Sequence, residues 1–190
     1  MTLNPNHLIG YSWAAVGVVW LIGAISLKRT VRTQPLGTRL FHVALMALGA
    51  GFMASRRFDF GWLQVRFIPL TGAFPAAGAA LAIAGCAFAI WARITLGSNW
   101  SGRATVKAGH ELITRGPYAL ARHPIYTGLI AAILGSVLVI GQWRAITGAA
   151  IIVFAFLVKI SQEERLMMQT FPEAYPLYRQ RVKALLPGMF

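Results

Sequence analysis

Of the 190 residues, 57% are hydrophobic and only 12% charged, with a mean hydropathy of +0.61, more apolar surface than a soluble domain of this length can bury. The chain is therefore read as an integral membrane protein. Its net charge of +13 shows no basic stripe interleaved with aromatics on a soluble face, which argues against nucleic acid, and a single Cys86 excludes an internal disulfide and a cysteine-based metal cluster.

Charge-poor tracts follow one another at 8–27, 40–55, 71–92, 125–141 and 145–158. An α-helix needs about 20 apolar residues to cross the hydrocarbon core, so the first and third are long enough, while the second and fifth are short unless flanking Arg and Lys snorkel. The expected fold is all-α, with about five transmembrane helices. Residues 1–27 contain no Lys, Arg, Asp or Glu, so the charged region of a cleaved signal peptide is missing and a retained first helix is expected. With loops placed alternately, 14 of the 18 basic residues fall on one side and only Arg56, Arg57, Arg66 and Arg144 on the other. The positive-inside rule then sets the N-terminus outside and the C-terminus in the cytoplasm, and the cytoplasmic charge suits anionic membrane lipids.

The stretch 56–69, with Phe58, Phe60, Trp62 and Phe67, reads as an external loop whose aromatics anchor at the interface. The third tract holds Gly72, Gly78 and Gly85 among many Ala residues, the composition that lets membrane helices approach closely. Near residue 93 the character changes, dividing N-terminal helices (1–92) from a polar and apolar core (93–190). Segment 93–123 is a long cytoplasmic loop with Gly97, Gly102, Gly109 and Gly116, longer than connections usually are without a function.

At the edge of the fourth tract stand Gly116-Pro117-Tyr118 and Arg122-His123-Pro124-Ile125-Tyr126-Thr127-Gly128. Any one of these side chains could be an interfacial anchor, but titratable groups gathered at a bilayer edge are costly unless paired or wet, which marks a site. Pro124 belongs in the first helical turn, with His123 as N-cap. Gly141-Gln142-Trp143-Arg144 permits only a tight antiparallel hairpin between helices four and five. The Arg122–Tyr126 cluster then faces Lys159, Glu163 and Glu164 at the far end of helix five. Neighbours on a helix point in different directions, so one of the two glutamates is expected to face the pocket, and Lys159 with Glu163 could equally form an i,i+4 surface pair. Beyond them, Phe171 to Tyr178 and the following Arg179 and Arg181 suit an amphipathic segment on the cytoplasmic face.

In combination these motifs resemble the isoprenylcysteine carboxyl methyltransferases and the related phospholipid methyltransferases, of bacterial type. The resemblance rests on Leu96-Gly97, Trp100-Ser101, His110-Glu111-Leu112-Ile113, Gly116-Pro117-Tyr118, Arg122 to Tyr126, Gly128, Glu163-Glu164, Phe171, Tyr175, Tyr178 and Pro187. It covers about half the chain. It implies an S-adenosylmethionine-dependent methyltransferase of the bacterial inner membrane, with a cytoplasmic cofactor pocket and a lipophilic acceptor: a carboxylate, an amine or a thiol. By this resemblance His110, Glu111, Leu112, Ile113, Gly116, Tyr118, His123, Pro124, Ile125 and Tyr126 would bind the cofactor, with Glu163 or Glu164 closing the site or acting as base. Arg122 and Lys159 would orient the acceptor head. Two departures stand out. Lys159 occupies a position where similar enzymes carry Arg, keeping the charge without the planar fork, and Pro172 follows Phe171 where Gly is usual. Two other readings compete: an NADPH-dependent membrane reductase of sterol C14-reductase type, which shares an Arg-His-Pro-x-Tyr-x-Gly motif, and a non-catalytic lipid-binding protein.

Overall fold

The computed structural model describes residues 4–25, 36–55, 61–69, 71–97 and 111–186. They form six α-helices: α1 (Pro5–Ile25), α2 (Leu36–Ala54), α3 (Ala73–Leu96), α4 (Pro124–Ile140), α5 (Trp143–Thr170) and α6 (Ala174–Arg181). Short 3₁₀ turns lie at Gly61–Gln64 and Gly116–Ala119. The described residues contain no β-strand beyond one isolated antiparallel bridge between Arg66 and Gln142. α1, α2, α3 and α5 are long and apolar enough to cross a membrane, and α4 is a shorter apolar helix of 17 residues. The expected all-helical membrane fold is present.

The helices pair in two tight seams. Along the first, α3 and α4 approach almost backbone to backbone because Gly78 and Gly85 face Gly135 and Gly128. A Cβ at Gly85 would lie 2.5 Å from the Ala132 amide nitrogen and 2.6 Å from the Gly128 carbonyl oxygen, and one at Gly128 would meet the same kind of contact on Ala89 and Gly85. In lipid, where apolar surface has no water to escape, close van der Waals packing of this kind drives association. Ala79, Ala82 and Ala89 are buried in the same seam, whereas Gly72 precedes α3 with a positive φ of 86° and faces open space. The second seam joins α2 and α5 through Gly49 and Gly148, where a Cβ on either would come within 2.7 Å of the other's carbonyl oxygen. α1 lies against α3 and α4, its Trp13 indole N–H donating to Ser136 Oγ at 3.1 Å.

The α4–α5 turn is as short as expected. Gly141 ends α4 in the left-handed region (φ 61°), Gln142 is extended, and α5 starts at Trp143. The segment 61–69 docks onto this turn: Phe67 N–H donates to the Gly141 carbonyl at 3.0 Å, Gln142 Nε2 donates to the Gln64 carbonyl at 3.0 Å, and Phe67 packs against Trp143. Trp62 remains largely exposed, as an interfacial anchor requires, and Phe58 and Phe60 lie outside the described residues. The buried Arg144 guanidinium donates to the Phe52 and Met53 carbonyls, satisfying the C-terminal end of α2.

One expectation needs correction. The fifth tract ends at Val158 by hydropathy, yet α5 continues unbroken to Thr170. Lys, Gln, Glu, Arg, Leu and Met are good helix formers, so charge ends the apolar tract without ending the helix, and the stop comes where Pro172 restricts Phe171. At 28 residues α5 is about 42 Å long against about 25 Å for the 17 residues of α4. α5 therefore overshoots the start of α4, and Lys159 to Glu164 lie within the helix at that level instead of at its end.

Introducing Gly85→Leu should destabilise the protein by about 3 kcal/mol or abolish the folded species, since the backbone opposite cannot recede. Gly10, which has open space around it, supplies the control: Gly10→Leu should leave the detergent melting temperature unchanged.

Candidate active site

The chain reaches the bilayer-edge cluster through Glu111 to Arg115, where Glu111 is exposed and Leu112 and Ile113 are half-buried. His110 lies outside the described residues. Gly116 opens the 3₁₀ turn with a φ of 60°, a conformation that favours glycine, and passes over Thr95. Pro117 and Tyr118 are buried behind it. Tyr118 donates to the Ala92 carbonyl at 3.4 Å, and its own carbonyl accepts the Tyr178 hydroxyl of α6 at 2.5 Å.

The predicted arrangement at the next step is observed: His123 is the N-cap of α4 and Pro124 its first residue. Arg122 and His123 are both buried, and their backbone N–H groups donate to the carbonyls of Lys183 and Ala184 at 2.8 and 3.0 Å. The C-terminal tail is thus paired to the segment that opens α4. Ala184 and Leu185 are fully buried there, and Tyr175 and Tyr178 point inward from α6. The segment expected to be a membrane-surface helix therefore docks one face on the protein, leaving Leu177, Arg179 and Arg181 outward.

Both adjacent glutamates enter the cluster, contrary to the expectation that only one would. His123 bridges the roughly 100° between them on the helix. Glu164 Oε1 accepts from Arg122 Nε at 2.9 Å, His123 Nε2 at 2.8 Å and the Tyr175 hydroxyl at 2.7 Å. Its Oε2 accepts from Arg122 Nη2 at 3.1 Å and lies 3.6 Å from Arg179 Nε. Arg122 also donates to the Val182 carbonyl at 2.5 Å, so its fork and its third nitrogen are both engaged within the protein. Glu163 is held more lightly. Its Oε1 accepts the Tyr126 hydroxyl at 2.8 Å, its Oε2 lies 3.7 Å from His123 Nδ1, and its side chain is 22% exposed against 13% for Glu164. Lys159 sits one turn before Glu163, close to His42 of α2. Ile125 is half-buried beside the cluster.

Burial would lower the Arg122 pKa, but the paired Glu164 carboxylate outweighs it and raises the guanidinium above its usual value. Burial lifts the Tyr178 hydroxyl to about 12, and lifts Tyr118 and Tyr175 further, Tyr175 with added help from the Glu164 carboxylate it serves. At neutral pH all three phenols are fixed hydrogen-bond donors. Tyr175 and Tyr178 are motif residues to which the sequence alone assigns no role. Their i,i+3 spacing was the available signal, since it sets two aromatics on one helix face. Among the described residues no group of three or more His, Cys, Asp and Glu could hold a metal ion.

Replacing Arg122 by Met would strand a buried carboxylate, and should cost about 3–5 kcal/mol in chemical denaturation. Arg122→Met combined with Glu164→Leu should cost less than the two single changes together.

Residues 78–169 match the sequence model of the isoprenylcysteine carboxyl methyltransferase family. The protein-S-isoprenylcysteine O-methyltransferase of Schizosaccharomyces pombe is 30% identical over 79 residues, 41% of this chain and 34% of that enzyme. The cobalt-zinc-cadmium resistance protein CzcN of Cupriavidus metallidurans is 29% identical over 190 residues, 99% of this chain and 74% of its own. A solved eukaryotic intramembrane Ras methyltransferase shares the fold, with a TM-score of 0.53 at 22% identity over 78% of this chain and 52% of that one. The chain spans about a third of the length of the yeast enzyme. The match over 78–169 contains the α3–α4 seam, the His123 cluster and both glutamates, so it is in this region that the chain is similar to the isoprenylcysteine carboxyl methyltransferase family.

Proposed function

We propose that this chain is an S-adenosylmethionine-dependent methyltransferase acting on a lipid-like acceptor, with residues 93–190 as its core. The observation that carries this reading is the unequal use of the two glutamates. Glu164 is saturated by donors from the start of α4 and from α6, whereas Glu163 keeps an oxygen with no close donor, partly exposed beside His123 and Tyr126. A cofactor with an ammonium and a sulfonium needs such a carboxylate, together with an aromatic ring that tolerates a nearby cation. The residues present fit it: Glu163 would take the amino group and the Tyr126 ring would lie alongside. Glu111 to Ile113, Gly116, Tyr118, Pro124 and Ile125 would complete the walls.

When bound, S-adenosylmethionine supplies a methyl group already activated for in-line displacement. The protein's share is alignment and exclusion of water. Arg122 acts here as a positioning residue, holding Glu164 and the tail. A carboxylate acceptor needs no base, whereas an ammonium or thiol must first lose its proton, which Glu163 would accept only in place of holding the cofactor's amino group. The bias of basic residues to one side supports a cytoplasmic cofactor site in the bacterial inner membrane. Arg66 and Arg144, two of the four on the other side, are bonded to carbonyls around the α4–α5 turn.

Calorimetric titration of the purified protein with S-adenosylhomocysteine should give saturable binding. Glu163→Gln should weaken it by about tenfold or more, the loss of one charge-assisted hydrogen bond, at an unchanged melting temperature. Binding of NADPH in its place would transfer the chain to the reductases, and binding of neither would leave a lipid-binding protein.

A further inference from the structure

α1 and α3 run side by side in the same direction. Val16 and Trp20 share one apolar cluster with Cys86 and Ile90, and one further turn along both helices brings Gly23 against Arg93. A Cβ at Gly23 would lie 2.1 Å from Arg93 Nη2 and 2.7 Å from its Cζ, so the guanidinium rests on the α1 backbone in a seat that any larger residue fills. At 3% exposed, Arg93 is more deeply buried than any other charged residue described. Its Nη1 donates to the Gly97 carbonyl at 2.9 Å, and its Nε and Nη2 are shut off from solvent on the side of α1.

A cation set across the C-terminal turns of two helices meets the negative ends of both dipoles. An arginine whose head snorkelled to water would meet the same dipoles at lower cost, so what burial adds is a fixed position for the planar fork. Two more pieces of chain gather at that position. Gly97, whose carbonyl Arg93 holds, ends α3 with a φ of 56°, and Gly116 crosses over Thr95 and Trp91 of the same stretch of α3. Tyr118 follows, its hydroxyl on the Ala92 carbonyl and near enough to Arg93 for the two groups to act on each other electrostatically. Fastening α1 does not by itself require this joint, because the Trp13–Ser136 bond and the apolar cluster already hold α1 nearer its middle.

Resting on the methyltransferase reading above, we infer that Arg93 is a positioning residue for the cofactor wall and that Gly23 is its seat. Arg93 acts through Gly97 and Tyr118 and not on the reacting atoms: it fixes the end of α3 against which the Gly116–Ala119 turn is laid. By this joint α1, which lies outside the matched region 78–169, takes part in shaping the site.

Gly23→Ala tests the seat with little damage to the fold, since the added methyl displaces the tip of a flexible side chain and not backbone. The melting temperature of the full chain in detergent should stay within about 3 °C of the wild type. Its affinity for S-adenosylhomocysteine should fall about fivefold. Arg93→Lys, which keeps the charge without the fork, should weaken binding as much, and adding Gly23→Ala to it should cost nothing more, because no guanidinium is left to displace. Trp13→Phe loosens α1 elsewhere, so it should lower the melting temperature and leave the affinity unchanged. Hydrogen exchange at residues 116–121, followed by mass spectrometry without ligand, should quicken in Gly23→Ala and Arg93→Lys but not in Trp13→Phe. Undiminished affinity or unchanged exchange in Gly23→Ala, additive losses in the double variant, or an equal loss in Trp13→Phe would overturn the assignment. Failure of the wild type to bind S-adenosylhomocysteine would instead strike the methyltransferase reading, and the exchange rates at 116–121 still judge Arg93.

Discussion

One half-buried carboxylate, that of Glu164, holds together the bilayer-edge end of this molecule. A carboxylate removed from water is tolerated only when opposite charge and hydrogen-bond donors replace the lost hydration. Here the replacements come from two places in the chain: Arg122 and His123 at the start of α4, and Tyr175 with, more loosely, Arg179 on α6. The same Arg122 then reaches the Val182 carbonyl, and the backbone around it pairs with Lys183 and Ala184. Neutralising Glu164 has an electrostatic consequence. The Arg122–Glu164 pair cancels internally, so the negative charge that this cluster presents outward is that of Glu163.

That cluster forms because α4 is short and tightly held. The glycine seam fixes α4 to α3 so closely that neither helix can slide without driving a Cβ into backbone. Tyr118 is then carried to the C-terminal turns of α3, where it reaches the Ala92 carbonyl and offers its own carbonyl to Tyr178. The seam and the buried carboxylate are successive constraints. The first sets the level at which α4 begins, and the second selects what α5 and α6 must place at that level.

Much of this was legible in the sequence because lipid imposes simple rules. Apolar tracts marked the helices, the four residues 141–144 left room only for a hairpin, and Pro124 located the first turn of α4 with His123 before it. Other features carried no such mark. The extent of α5 was hidden because hydropathy reports where lipid ends, whereas helix propensity and Pro172 decide where the helix ends. The joint use of Glu163 and Glu164 was hidden because helix geometry alone separates them, and only a ring standing between could serve both. The pairing of 183–184 with 122–123, and of 65–68 with the hairpin turn, runs through backbone groups that every residue possesses.

The mismatch in helix length also limits which molecules the site could serve. α4 stops short of the roughly 30 Å hydrocarbon core while α5 passes through it and beyond. Glu163 therefore stands where apolar and aqueous surroundings meet, with His123 and Tyr126 on one side and the row of Lys159 and Phe156 descending into the apolar cluster on the other. A fully water-soluble acceptor would gain nothing from that descending face, and a purely apolar one would make no use of the polar groups above it. An amphiphile whose reactive group lies at the junction of head and tail meets both conditions at once. Its depth would then be set by its own partition between lipid and water, so the membrane, and not the protein alone, would hold its head group at the level of Glu163.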